Sequence, residues 1–586
     1  MHKITSDEFL ENCQKVGMYY QEILTHVLNN KNFAAPLKYS INEKYQEATS
    51  KVFEQIIEHP EKFTDLNLEY VQSFQKLIAD SVTKFIGKEK NKAVTEEKLT
   101  DRRFKDPEWN QNIYFDFIKQ YYLITSDWMQ KSVQQYDLDE DSKRYIQFSA
   151  GQFIDAVSPA NFAFSNPVVI KESLESGLEN IVKGMENFLE DIKKSKDLFN
   201  ISTTDKSYFK IGKDIAATKG KVIYQNDLMQ LICYQPKEET HAIPLLIIPP
   251  WINKYYVLDL SENNSLVKWL VDNNFQVFLI SWINPKKKYA HKDFEDYLKE
   301  GVLDSINEIK KLGYNQINTL GYCIGGTLLS IALSYLKSKK DESIVSATFL
   351  TTLIDFSSPG EVGALINKHT FALIEQDVNA KGYLDGKYLS NSFSLIRAND
   401  LVWSFFVNNY LLGKAPAAFD ILYWNADPTN LPAKMYIYYL KNMYIDNKLI
   451  VPNALEMLNT KIDVSKIDIP SFSLAAKGDH IALWNAVYDG YKLLSGHKTF
   501  CLTDAGHVAG VVNPASNNKY SYLIGENVDI DSKAWQKSAK FKQGSWWNCW
   551  KEWLTEHSGK QEKPIDYDKL ELIEIAPGSY VNPNCV

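Results

Sequence analysis

Three short stretches of this 586-residue chain hold residue types that do chemistry together. The first is Gly321-Tyr322-Cys323-Ile324-Gly325-Gly326-Thr327. It lies between an apolar run short enough for a strand, 316–320, and one long enough for a buried helix, 328–336. A cysteine in a tight strand–turn–helix connection is an exposed nucleophile, and glycines on both sides let strand and helix pass close to it. The helix start behind it offers free N–H groups and partial positive charge, which favour a thiolate and the oxyanion formed when it attacks a carbonyl. Taken alone, Gly-x-Cys-x-Gly also fits a buried, inert cysteine.

The other two stretches argue against an inert cysteine. Asp479, in Lys477-Gly478-Asp479-His480-Ile481, follows the strand-like run 471–476. His507, in Asp504-Ala505-Gly506-His507-Val508, follows the run 498–502. An imidazole titrates near neutrality, so it can take a thiol proton and return it, and a carboxylate orients the ring and stabilises its charged form. The reading is Cys323 as nucleophile, His507 as base and Asp479 as orienting acid, in the chain order of α/β-hydrolases. His480 is a rival base and Asp504 a rival acid. Asp355, also at a strand end, is expected to work structurally, and His497 reads as a surface residue. A second oxyanion donor is expected from Pro249-Pro250-Trp251-Ile252-Asn253. The prolines have no N–H, which leaves Trp251 or Ile252 beside the N–H of Ile324.

These residues need a scaffold, and the pattern around them supplies one. Residues 218–224 and 229–234 read as a hairpin pair. The all-apolar Pro244-Leu245-Leu246-Ile247-Ile248 suits a parallel strand buried on both faces. Strands at 275–280, 345–350, 471–476 and 498–502 follow, with helices at about 258–273 and 293–312 between the early ones. Such alternation predicts an α/β-hydrolase fold. Residues 357–455 interrupt it with helical, aromatic sequence that lacks a clear strand, expected to be a cap over the site. Upstream, helices are expected over the first 95 residues, at 113–123, at 141–153 and as one long amphipathic helix at 172–192, with a solvated Lys/Glu run at 88–98. The division expected is an all-helical N-terminal domain at 1–203 and a catalytic domain at 204–586.

A net charge of -8 argues against general nucleic-acid binding. Six dispersed cysteines suggest neither a metal site nor a disulfide framework and fit a cytosolic compartment. No signal peptide and no transmembrane run is read.

The motifs resemble those of the class I polyhydroxyalkanoate synthases, the short-chain, single-subunit poly(3-hydroxybutyrate) polymerases. Beside the three stretches above, the resemblance rests on Arg103-Phe104-Lys105-Asp106-Pro107, Phe153 to Phe162, Arg397-Ala398-Asn399-Asp400-Leu401-Val402-Trp403-Ser404 and Ala576-Pro577-Gly578-Ser579-Tyr580-Val581. It runs from about residue 100 to the end. It implies an acyltransferase that joins (R)-3-hydroxyacyl groups, mainly 3-hydroxybutyryl, from coenzyme A thioesters into polyester, with Cys323 acylated and no cofactor. It also implies a homodimer in the cytoplasm on its polyester granule, in contact with the nascent chain. Arg397, Trp403 and His480 are candidate substrate contacts. The alternatives are a cysteine-dependent thioesterase or dienelactone-type hydrolase, and a non-enzymatic granule coat.

Overall fold

The computed structural model describes residues 5–29, 43–86, 101–194 and 201–582, so the Lys/Glu run at 88–98 lies outside the described residues. By packing, the chain divides into two units: Met1–Asp205 with Asn391–Ala417, and Lys206–Ser390 with Ala418–Val586.

The first unit is helical: α1 Ser6–Asn29, α2 Glu43–Glu58, α3 Pro60–Phe85, α4 Ile113–Gln135, α5 Glu140–Ala156, α6 Pro167–Glu175 and α7 Glu179–Lys194. Its core gathers Phe104, Trp109, Tyr122, Ile154 and Ala160. The long helix expected at 172–192 is two helices. Gly177 and Leu178 both take positive φ, 58° and 72°, and the Asn180 side chain bonds back to Ser173 and Ser176, closing the break.

Residues 391–417 were expected to belong wholly with the catalytic domain, yet they pack with these helices. The reason is polar as well as apolar. Asn180 Nδ2 donates to Leu411 O at 2.8 Å, Asn187 Nδ2 to Asn409 O at 3.0 Å, and Gln152 Nε2 to Leu395 O at 2.8 Å. Tyr410 donates to Asp191 at 2.7 Å. A Cβ on Gly184 would stand 1.9 Å from the Tyr410 carbonyl, so only glycine admits this approach.

The second unit is built on an eleven-stranded sheet. Its strands are β1 Gly220–Gln225, β2 Met229–Tyr234, β3 Leu245–Ile248, β4 Val277–Trp282, β5 Ile317–Tyr322, β6 Ile344–Leu350, β7 Ser471–Ala476, β8 Lys498–Thr503, β9 Ser521–Gly525, β10 Lys540–Gln543 and β11 Glu574–Ile575. The spatial order is β10-β9-β8-β7-β6-β5-β3-β4-β2-β1-β11. The stretch from β4 through β8 is parallel, and antiparallel strands extend it at both edges.

The apolar strands bury both faces. In β3, Leu246 and Ile248 enter one core while Leu245 and Ile247 enter the other, the alternation a strand imposes. Helices α8 Leu266–Asp272, α9 Ile324–Ser338, α10 Ala433–Tyr439, α11 Trp484–Lys492 and α12 Trp547–Glu556 surround the sheet. The helix expected at 258–273 begins only at Leu266, where Ser265 caps Lys268 N–H at 2.8 Å. That at 293–312 is widened by a π-type stretch at Tyr297–Leu303, where Gly301 meets the Trp282 ring.

The sheet order carries a consequence for function. The chain steps from β3 outward to β4, then crosses back to β5 on the other side of β3. The carboxyl ends of β3 and β5 therefore flank a switch point, where α/β sheets open a crevice.

Candidate active site

The turn after β5 sits at that switch point. Cys323 is the residue before α9, with φ 52° and ψ −123°, a conformation that a residue with a side chain adopts only when its surroundings hold it there. Its N–H donates to Leu350 O at 2.9 Å, and its carbonyl accepts from Gly326 and Thr327 at 2.9 and 3.1 Å. The glycines fit by necessity. A Cβ on Gly325 would lie 2.2 Å from Ile248 O, one on Gly326 1.9 Å from Thr352 Oγ1, and one on Gly321 2.5 Å from Gly326 Cα. Cys323 is partly exposed.

Asp479 and His507 come from the loops after β7 and β8. These loops are tied together by Lys477 N–H to Thr503 O at 2.9 Å and Gly478 N–H to Ala505 O at 3.0 Å. His507 Nδ1 lies 2.6 Å from Asp479 Oδ2. Asp479 Oδ1 accepts from Ile481 N–H at 2.8 Å and Ala482 N–H at 2.9 Å, so the carboxylate is buried with both oxygens engaged. The charge on Cys323 also acts on the His507 ring. Burial alone would lower the imidazole pKa, but the Asp479 carboxylate and Cys323 outweigh it and raise it well above the ordinary value. The loops after β7 and β8 thus bring a buried imidazole–carboxylate pair together, and the charge on Cys323 at the β5 turn acts on that imidazole, residue types suited to proton transfer from a thiol.

Tyr322, the last residue of β5, completes this cluster. Its hydroxyl donates to the His507 carbonyl at 3.3 Å and its ring stacks on the imidazole, 5.7 Å between centroids. Burial, then the charges of Cys323 and Asp479, push its hydroxyl pKa far up, so it stays a donor.

The rival residues are engaged elsewhere. Asp504 pairs with Lys477 at 2.6 Å and accepts from Ser521. His480 is half exposed, 3.7 Å from Glu361. His497 is at the surface. Asp355 accepts from Ser357 N–H and Asn447 Nδ2, both at 2.8 Å. The loop after β3 packs on the start of α9, where Gly325 faces the carbonyls of Ile248 and Pro249. Trp251 is fixed there by its ring contacts with Trp282, Phe294 and Tyr297 and by Thr429 Oγ1 donating to its carbonyl at 2.6 Å. Arg397 and Trp403 fall in the helical unit, where Arg397 pairs with Asp400 and Trp403 meets Phe406 edge-on.

Two residues near the thiol were missed by sequence reasoning. Tyr439 is buried and Tyr444 partly buried; their rings meet edge-on and both pack on Phe356. Burial raises both hydroxyl pKa values, and the charge on Cys323 adds to it. The tyrosine-rich run 436–444 was the available signal, but it carries no spacing that distinguishes a site from a core.

The sheet order, the elbow after β5 and the residues after β7 and β8 define an α/β-hydrolase fold. Residues 243–514 match the family model described as alpha/beta hydrolase fold. Residues 100–270 match that for the Poly-beta-hydroxybutyrate polymerase (PhaC) N-terminus. The poly(3-hydroxyalkanoate) polymerase subunit PhaC of Rhizobium etli is 41% identical over 82% of this chain and 76% of its own. The poly(3-hydroxyalkanoate) polymerase of Methylorubrum extorquens is 39% identical over 91% and 89%, and the PhaC subunit of Cupriavidus necator 36% over 89% and 88%. The chain belongs to the poly(3-hydroxyalkanoate) polymerase family.

Proposed function

We propose that this protein is a class I polyhydroxyalkanoate synthase that polymerises (R)-3-hydroxyacyl-CoA, chiefly 3-hydroxybutyryl-CoA. What supports this reading is the buried His507–Asp479 pair, acted on by the charge of Cys323, in a chain that matches proteins named polymerases over most of its length.

His507 takes the Cys323 proton, and the thiolate attacks the thioester carbonyl carbon. The N–H groups of Ile324 and Trp251 hold the oxyanion. Ile324 begins α9 and so has no partner for its N–H within the helix. The carbon–sulfur bond to coenzyme A breaks, and the departing thiolate takes the proton back from His507. His507 then takes the proton of an incoming 3-hydroxyl, with Asp479 steadying the imidazolium. The alkoxide attacks the acyl-cysteine, an ester forms and the Cys323 thiolate is released. Exchange between two thioesters is nearly neutral in energy, so the acyl group stays reactive for transfer.

The helical unit supports a second part of the reading, residence on the polyester granule in the cytoplasm. Among the described residues, most of the exposed large apolar side chains belong to it, including Leu68, Val71, Ile78, Val82 and Phe85 along α3. No helix of the described residues is long and apolar enough to cross a membrane. A homodimer, and acyl-CoA contacts from Arg397, Trp403 and His480, complete the proposal.

The test is coenzyme A release from 3-hydroxybutyryl-CoA, with the product weighed and sized. Release coupled to insoluble polyester, and abolished in Cys323→Ala, supports the synthase. Release with only free 3-hydroxybutyrate makes the protein a thioesterase.

A further inference from the structure

His507 has a long way to reach. It leaves the sheet at β8 but must act at Cys323, which follows β5, three strands away. At the usual strand spacing that is about 14 Å. The loop that crosses this distance, residues 504–513, needs pins along its length or the imidazole would wander from the sulfur.

The structure shows where the pins are. At the near end, Gly478 N–H holds Ala505 O at 3.0 Å. At the far end, buried indoles beside α12 hold the returning backbone. Trp546 Nε1 donates to Gly510 O at 2.8 Å and Trp547 Nε1 to Val511 O at 2.9 Å. Between them, the loop is braced to β5 itself by Tyr322. The hydroxyl donates to the carbonyl of His507 at 3.3 Å, and the ring lies against the imidazole at an interplanar angle of 30°. Tyr322 is 1% exposed, so its ring cannot swing away without opening the core. It is also bonded through the backbone to Cys323. One side chain therefore ties the base to the strand that carries the nucleophile.

We propose that Tyr322 is the positioning residue that sets the distance and angle between His507 and Cys323. Asp479 fixes the ring's rotation through Nδ1, while Tyr322 fixes where the ring stands relative to sulfur. This inference rests on the assignment of Cys323 and His507 under the proposed function.

The test uses the full chain. Tyr322→Phe removes the hydroxyl and keeps the stack; Tyr322→Leu removes both. A neutral hydrogen bond of this kind corresponds to roughly a fivefold change in kcat. Misplacing a catalytic group by about an ångström corresponds to roughly a hundredfold. The expected result is kcat per titrated Cys323 lowered about fivefold in Tyr322→Phe and on the order of a hundredfold in Tyr322→Leu. KM should stay within about twofold in both, because ground-state binding is untouched. The phenylalanine variant thus recovers most of what leucine loses. Equal kcat per titrated Cys323 in all three proteins overturns the proposal, whatever happens to yield or melting temperature.

A substrate-free measurement separates this from the polymerase reading. The rate at which iodoacetamide alkylates Cys323 depends on His507 taking the thiol proton. It should fall in the order wild type, Tyr322→Phe, Tyr322→Leu even if no hydroxyacyl thioester is turned over. An unchanged rate in Tyr322→Leu overturns the positioning role. Failure of the wild type to release coenzyme A overturns the polymerase reading alone.

Discussion

His507 Nδ1 stands 2.6 Å from Asp479 Oδ2, while Asp479 Oδ1 already accepts from two backbone N–H groups, those of Ile481 and Ala482. Both oxygens of this carboxylate are in use as acceptors, which determines what an amide would do in its place. In Asp479→Asn the NH₂ must face either two donors or the ring. Facing the ring, it forces the proton onto Nε2, the nitrogen that should receive the thiol proton. The expected outcome is a fall in kcat of about 10⁴-fold with a folded protein and little change in KM, read by coenzyme A release.

The same pair gives a pH dependence of stability. The imidazole pKa is raised in the folded state, against burial, by Asp479 and Cys323. A raised value means the folded protein holds the proton more tightly than the unfolded chain does. The stabilisation is fully present below the unfolded histidine value of about 6.5 and is lost as pH rises through the folded value. Melting temperatures of wild type and Asp479→Asn between about pH 5.5 and 9 should differ most at the acid end and converge toward the alkaline end. A gap that widens with pH would contradict the assignment.

Gly325 and Gly326 should tolerate no side chain. The added methyl of Gly325→Ala would meet a backbone carbonyl, and that of Gly326→Ala would meet Thr352. Each is expected to cost about 3 kcal/mol and to shift the elbow, so that denaturant midpoint and activity fall together. Gly326→Ala combined with Thr352→Ala should recover part of the stability, because the second change removes the two closest atoms, Oγ1 and Cγ2, and leaves only Cβ in the way.

Arg103 ties three family motifs together inside the helical unit. It pairs with Asp101 at 2.8 Å and Asp155 at 3.5 Å, and donates to Tyr122 at 2.9 Å and Asn399 at 3.3 Å. Arg103→Met removes the guanidinium from beside Asp101 and Asp155 and is expected to cost about 3 kcal/mol. Because Asn399 also donates to Asp155 at 2.6 Å, amide hydrogen exchange should quicken across 399–411 and remain unchanged in β5 and α9.

The outward row on α3 offers a test of granule residence. Val82 and Phe85 are 53% and 82% exposed. Val82→Glu with Phe85→Glu should reduce sedimentation with polyester particles severalfold while leaving stability within about 0.5 kcal/mol, since neither residue is buried. Unchanged sedimentation would assign the attachment elsewhere.

What the sequence by itself determined is local. Residue type, chain order and placement after an apolar run pointed to Cys323, Asp479 and His507 and to their places at strand ends, because an elbow and a strand end are written in a few adjacent residues. The central strands were legible for the same reason, since doubly buried strands such as 245–248 read as continuous apolar runs. The two-helix break at Gly177 and Leu178, the π-type stretch at 297–303 and the membership of 391–417 in the helical unit were not legible. The break is closed by local bonds from Asn180 to Ser173 and Ser176 that no periodicity announces, whereas the other two are set by partners distant in sequence: Gly301 meeting Trp282, and Asn180 and Gly184 meeting Leu411 and Tyr410. The Tyr322 brace belongs to the same class. Tyr322 and His507 are 185 positions apart, and only the order of strands in the sheet brings a hydroxyl on β5 against the carbonyl of a residue that leaves β8.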